Sequence, residues 1–226
     1  MRRYARLGCR NLRSIGGFPL PGGMAAEDVL FRSDLPLALD PADRAFLREK
    51  DIRAVIDLRD AAEAAARPDA LAGSPLVSWY GIPLGGLIPA GEEAIPDSYL
   101  AYARNRAAMA RVLTLLCGDG GCLFHCTAGK DRTGTVAALA LWLAGAGRED
   151  AAADYAVSGP LLRPVLQDLR NARPDLPAFA GQSKPEYLYR FFELLERDFP
   201  APADYLDYLG LPAGVAGALR AKLRGG

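Results

Sequence analysis

Ten residues constrain this chain more than any other stretch: His125-Cys126-Thr127-Ala128-Gly129-Lys130-Asp131-Arg132-Thr133-Gly134. A Cys, five intervening residues, an Arg and a hydroxyl residue place a nucleophile at the base of an anion trap. Cys122-Leu123-Phe124 before them predicts a short buried strand, and Thr135 to Ala144 after them predicts a helix. A strand, a Gly-containing turn and a helix start gather backbone N–H groups around one point, at the positive end of a helix dipole. A thiolate is favoured there, and Arg132 adds a planar fork suited to two phosphate oxygens. The plainer alternative is that Cys126 is a small buried hydrophobe, as free Cys often is. An inert Cys would not need the Arg, the Gly, the basic neighbour and the hydroxyl together at a helix start.

Composition limits the rest. A chain of 226 residues, 50% hydrophobic and 24% charged, is expected to form one domain over residues 1–226, burying roughly three-quarters of its unfolded surface. Lys plus Arg and Asp plus Glu both number 27, for a formal net charge of +0. A global basic field for nucleic acid is therefore absent. Cys9, Cys117, Cys122 and Cys126 lack zinc-ligand spacing, and with one His no metal site or cofactor is expected. A nucleophilic Cys126 must stay reduced, which favours the cytoplasm. The basic start Met1-Arg2-Arg3-Tyr4-Ala5-Arg6 is followed by no apolar leader core, although secretion without a leader stays open. The longest apolar run, about a dozen residues, is too short for a stable membrane insertion, which needs about 20.

The pattern along the chain predicts alternating strands and helices, then helices alone. Leu30-Phe31-Arg32 reads as a strand. Asp40-Pro41 starts a helix to about Lys50. Ile52 to Leu58 is a buried strand, Ala61 to Ala66 a short helix, and Leu76 to Leu84 a strand. Residues 85–97 are rich in Gly and Pro and long enough to suggest function. One helix is expected from Pro96 to Leu116, with Leu100, Ala103, Ala107, Ala110, Leu113 and Leu116 on one face. The helix after Gly134 should end near Gly145 and Gly147. Further helices are expected at 149–157, 160–173, 185–199, 203–208 and 212–223, with a loop at 174–183. This order implies an α/β fold with a short, mostly parallel sheet flanked by helices and a helical C-terminal part.

The string HC-x5-R-T resembles the signature of the cysteine-dependent protein tyrosine phosphatases. The fuller HCTAGKDRTG is similar to the bacterial tyrosine/serine, or triple-specificity, branch. Boxes in the family's order support the resemblance: Asn11-Leu12-Arg13-Ser14-Ile15-Gly16-Gly17, Phe31-Arg32-Ser33, Val55-Ile56-Asp57-Leu58-Arg59, and Asp154-Tyr155 with Ser158. It implies a three-layer phosphatase fold and a metal-independent protein tyrosine or dual-specificity phosphatase. Its substrate would be a phosphorylated protein or, because related lipid phosphatases carry Lys at the place of Lys130, a phosphoinositide. A phosphate-binding pseudo-phosphatase and a sulfurtransferase remain as alternatives. Oligomeric state is not legible.

Within that scheme Cys126 attacks phosphorus to form a cysteinyl-phosphate, and Arg132 holds the transition-state charge. Thr127, Ala128, Gly129 and Lys130 line the phosphate. Thr133, also counted with the substrate-binding residues, can donate a hydrogen bond to the cysteine sulfur. His125 should point to the opposite face of its strand and orient the loop. For the general acid, Asp131, which the resembled branch is thought to use, is favoured over Asp97, Glu92 and Glu93. Asp57 and Arg59 share a face and should pair. Arg13, Arg32 and Ser33 would line or brace the pocket. Cys122 should be core, with a disulfide to Cys126 the less favoured alternative.

Overall fold

The computed structural model describes residues 1–86, 89–172 and 174–225. In chain order the elements are β1 (Arg13–Ser14), β2 (Pro19–Leu20), β3 (Gly23–Met24), β4 (Leu30–Ser33), α1 (Pro41–Glu49), β5 (Ile52–Asp57), α2 (Ala61–Ala66) and β6 (Ser78–Gly81). A 3₁₀ turn at Glu92–Ala94 leads into α3 (Ile95–Arg104), α4 (Arg106–Leu116), β7 (Gly121–His125) and α5 (Asp131–Ala144). The chain closes with α6 (Arg148–Ala156), α7 (Ser158–Ala172), α8 (Pro185–Asp198), α9 (Pro202–Leu209) and α10 (Gly214–Leu223).

The main sheet has the order β1-β4-β7-β5-β6. Strand β7 is central, parallel to both β4 and β5, and β5 is parallel to β6. Only β1 runs antiparallel, so the sheet is mostly parallel, as expected. Every residue of β7 is buried, which is why it reads as a continuous apolar run rather than an alternating one. Register sorts the strand side chains by period two. Phe31, Leu123 and Val55 align across three strands and pack with Phe46 and Leu47 of α1. Ile56 and Phe124 align on the other face and join the larger core under α5 and the C-terminal helices. Helix α5 is buried nearly all round, from Arg132 to Ala144, as an apolar helix with no solvent stripe must be. It ends at Gly145, whose φ of 96° closes the helix in the left-handed region.

Three expectations need correction. Residues 96–116 are two helices, broken at Asn105, whose ψ of 79° leaves the helical region. The break rotates the second half, so Met109 and Val112 join Leu113 and Leu116 inside while Ala107 is exposed. The strand expected over 76–84 is a regular strand only at Ser78–Gly81, opposite Ala54 to Asp57 of β5, although the amides of Ile82 and Leu84 still donate to the carbonyls of Asp57 and Leu58. The segment expected as a loop through Asp97 is already helical from Ile95, with Pro in the first turn, where its missing N–H costs nothing. Leu87 and Ile88 of that loop, and Arg173 at the expected end of α7, lie outside the described residues. The short strands β1, β2 and β3 give no periodic signal, being only two residues each.

Candidate active site

The carboxyl ends of β4, β7 and β5 point the same way, and the loop leaving β7 turns directly into α5. In open α/β sheets ligands bind beyond the carboxyl ends of parallel strands. Cys126 lies there, 3% exposed, at the base of a cavity of about 560 Å³. The cavity is lined by the loop residues Thr127, Ala128 and Lys130, with Asp131 and Arg132 from the first turn of α5. Ile95, Tyr99, Tyr102 and Phe179 form an apolar and aromatic wall.

The loop is held from behind. Asn11 Nδ2 donates to the carbonyls of Ala128 and Gly129, at 3.0 and 3.1 Å. Arg32 Nη2 donates to those of Gly129 and Lys130, at 2.8 and 3.3 Å. Because these carbonyls turn backward, the amide groups are free to face the cavity. Arg13 and Arg32, both fully buried, share the two oxygens of Asp154. Burial opposes charge on Asp154, but the two guanidinium groups hold its carboxyl below the usual range. Burial and the Arg32 charge lower Arg13 to about 10, against the pull of Asp154. Ser158 accepts from both Asn11 and Arg13. The separate boxes around Asn11, Arg32 and Asp154 are thus one buried brace under the loop. Gly129 makes its turn possible: its φ is +66°, and a Cβ would lie 2.3 Å from the Ser33 backbone.

His125 is held behind the loop. Its ring lies on the opposite face from the cavity, with Nε2 3.0 Å from Asp69 Oδ2 and Nδ1 3.3 Å from the Cys126 carbonyl. Asp69 also accepts from Trp79 Nε1 and the Leu71 amide. Desolvation works against its charge, yet the His125 contact keeps its carboxyl below the ordinary range. Asp57, Asp69 and His125 crowd within 4.8 Å, but Asp57 is engaged by Arg59, at 2.6 Å, and Asp69 by Trp79. The Asp57–Arg59 pair is the one expected from their shared face. All four Cys are free, and burial pushes Cys122 up to about 12, so it stands as an inert core thiol without a disulfide to Cys126.

Arg132 does not stand with an open fork. Its two terminal nitrogens meet both oxygens of Glu63, with Nη2 to Oε1 at 2.7 Å. Thr127 Oγ1 donates to the same carboxylate at 2.7 Å. These bonds, Arg132 first, hold the Glu63 carboxyl at about 2, against partial burial. A guanidinium has five N–H donors, so this contact leaves others for a phosphate. Glu63 is absent from the residues singled out in the sequence. It occupies the third position of a helix capped by Asp60, so its spacing reads as an ordinary capping box.

Lys130 is 4% exposed and tied down. Its Nζ donates to the Gln182 carbonyl at 2.7 Å and lies 3.2 Å from Asp131 Oδ1. Asp131 borders the cavity and is 39% exposed. Of the rival acids, Asp97 is exposed on the first turn of α3, outside the cavity lining. Glu92 is paired with Lys184 and Tyr187, and Glu93 is exposed. Among the described residues Thr133 Oγ1 is buried without a hydrogen-bond partner, so the bond it could donate to the cysteine sulfur is not formed.

A family model described as the tyrosine phosphatase family matches residues 5–225. A tyrosine-protein phosphatase of Nostoc commune is 33% identical over 158 residues, 65% of this chain and 53% of that protein. The chain therefore spans about half the length of that relative. The triple specificity protein phosphatase PtpB of Mycobacterium tuberculosis is 28% identical, over 91% of this chain and 98% of its own. The crystal structure of P. aeruginosa TpbA is matched over 70% of this chain and 78% of that chain, at 20% identity and a TM-score of 0.43. With the matched region running from residue 5 to 225 and enclosing the whole Cys126–Arg132 loop, the chain belongs to the tyrosine phosphatase family.

Proposed function

We propose that this chain is a phosphomonoester hydrolase acting through a cysteinyl-phosphate, with phosphotyrosine in proteins as its principal substrate. The observation that carries the reading is the position of Cys126: nearly buried in the loop between β7 and α5, lining the same cavity as Arg132. The Cys126 thiolate attacks phosphorus in line, forming the S–P bond as the P–O bond to the leaving group breaks. Arg132 and the loop amides hold the equatorial oxygens. Asp131 gives its proton to the departing oxygen, then takes one from the water that hydrolyses the S–P bond. The charge that a metal would supply comes from Arg132 and the amides. The aromatic wall of Tyr99, Tyr102 and Phe179 suits an aryl phosphate. Lys130, a second cation lining the cavity, supports a wider range that includes phosphoinositides.

The test is turnover of p-nitrophenyl phosphate, phosphotyrosyl peptide and phosphoinositide, with thiosulfate as the sulfurtransferase control. Cys126→Ser should abolish turnover while inorganic phosphate still binds, because a hydroxyl is a far weaker nucleophile in a preserved anion site. Near-normal turnover by this variant, or thiosulfate cleavage by the parent, would overturn the reading.

A further inference from the structure

Asp131 is gripped by one oxygen only. The Tyr99 hydroxyl donates to Oδ1 at 2.5 Å, and Lys130 Nζ lies 3.2 Å from the same oxygen. Among the described residues Oδ2 has no hydrogen-bond partner, and the side chain borders the cavity above Cys126. Behind Tyr99, the Tyr155 hydroxyl lies 2.6 Å from the Tyr99 hydroxyl. Each phenol has one proton. Since Tyr99 gives its proton to Asp131, Tyr155 must be the donor in the second bond, and the chain runs Tyr155 to Tyr99 to Asp131. Both tyrosines are buried, at 1% and 0% exposed. Burial, reinforced by the Asp131 charge, raises both well above the ordinary phenol range, so both remain protonated donors.

The consequence is stereochemical. With the Tyr99 hydroxyl donating to Oδ1 and the Lys130 cation beside that oxygen, a proton carried by Asp131 is disfavoured on Oδ1 and belongs on Oδ2. That is the oxygen left without a partner among the described residues, on a side chain that lines the cavity. We propose that Tyr99 is a positioning residue for proton transfer: by donating to Oδ1, in a direction locked by Tyr155, it confines the transferable proton of Asp131 to Oδ2, facing the cavity. This rests on Asp131 being the acid. Tyr99 is well placed to be rigid. Its ring packs against Tyr102, Tyr155 and Phe191, with centroids 6.4, 5.9 and 6.3 Å away. Helix α3 thereby carries one end of the proton-delivery apparatus although it is remote in sequence from the loop.

Tyr99→Phe keeps the ring and removes only the donor. On an alkyl phosphate, whose leaving group needs a proton, kcat should fall about 10- to 100-fold, the rate equivalent of one hydrogen bond to a charged group. On p-nitrophenyl phosphate, whose phenolate leaves unaided, the fall should be distinctly smaller. Inhibition by inorganic phosphate should stay within about threefold, since the Arg132 fork and loop amides are untouched; this also reports that the site has folded. Tyr155→Phe should give the same leaving-group pattern with a smaller loss, and it carries the test if Tyr99→Phe does not fold. Equal losses on the two substrates, or no loss on the alkyl phosphate, would overturn the proposal. Asp131→Asn separates this from the acid assignment. If it shows leaving-group dependence and neither Tyr variant does, only the positioning claim falls. If Asp131→Asn shows none, the acid assignment falls and the positioning claim with it. Adding Tyr99→Phe to Asp131→Asn should produce no further dependence, and an additive effect would contradict the chain of donors.

Discussion

Glu63 serves two structures with one carboxylate. It closes the capping box of α2, accepting from the Asp60 amide at 3.2 Å, and it spans the Arg132 fork and the Thr127 hydroxyl. The Arg132 fork is thereby preset before phosphate arrives, which lowers the cost of ordering it on binding, while the one Thr127 hydroxyl proton is held by the Glu63 carboxylate. Glu63→Gln should reduce kcat/KM by about 10- to 100-fold, since a neutral amide cannot complete the charge-assisted pair. A phosphate inhibition constant that tightened instead would show that Glu63 competes with substrate. The same group shapes acid stability. Its carboxyl is at about 2 in the folded protein against 4.5 as the ordinary value. Between those values the unfolded chain binds more protons, so stability rises with pH there. The contribution is complete above about 4.5 and is lost as pH falls through about 2. Acid unfolding followed by circular dichroism should therefore be shallower across this window in Glu63→Gln, and an unchanged slope would refute the assignment.

At the scale of elements, the brace under the loop connects β1, β4 and α6 to the start of α5 through Asn11, Arg13, Arg32 and Asp154. Two guanidinium groups against one carboxylate leave an excess positive charge behind the loop. Asp154→Asn keeps the shape but leaves both guanidinium groups without a counter-charge. It should destabilise the protein by about 3–5 kcal/mol, the cost of removing one partner from a buried pair, as read by urea unfolding. A loss under 1 kcal/mol would mean that water reaches Arg13 and Arg32. Helix α3 shows the opposite relation between pattern and structure. Its apolar spacing was legible, but the break at Asn105 was not, because the apolar period runs on through it and its side chain makes no capping bond in either helix.

Across the whole molecule the sheet separates two apolar layers. Trp142 belongs to the larger core and Trp79 packs against the smaller one. Strand β7 contributes Leu123 to one layer and Phe124 to the other, so neither can loosen without the other. If residues 1–226 form one cooperative unit, Trp79→Phe and Trp142→Phe, each reporting through the remaining Trp, should show urea transitions that keep the far-UV midpoint of the same variant. Separate midpoints would divide the chain into independent layers. The sequence by itself determined the strand–loop–helix unit, the place of Cys126, Asp131 and Arg132 within it and the α/β order, because these are local: they follow from spacing, caps and apolar periodicity within about twenty residues. Only the tertiary structure decided that Glu63 meets Arg132, that Asp69 holds His125, that Asn11, Arg32 and Asp154 form one brace, and that Tyr99 meets Asp131. Those contacts join residues 32 to 122 positions apart. No periodicity links such positions, since their pairing depends on strand order, register and the direction of each helix across the carboxyl edge of the sheet.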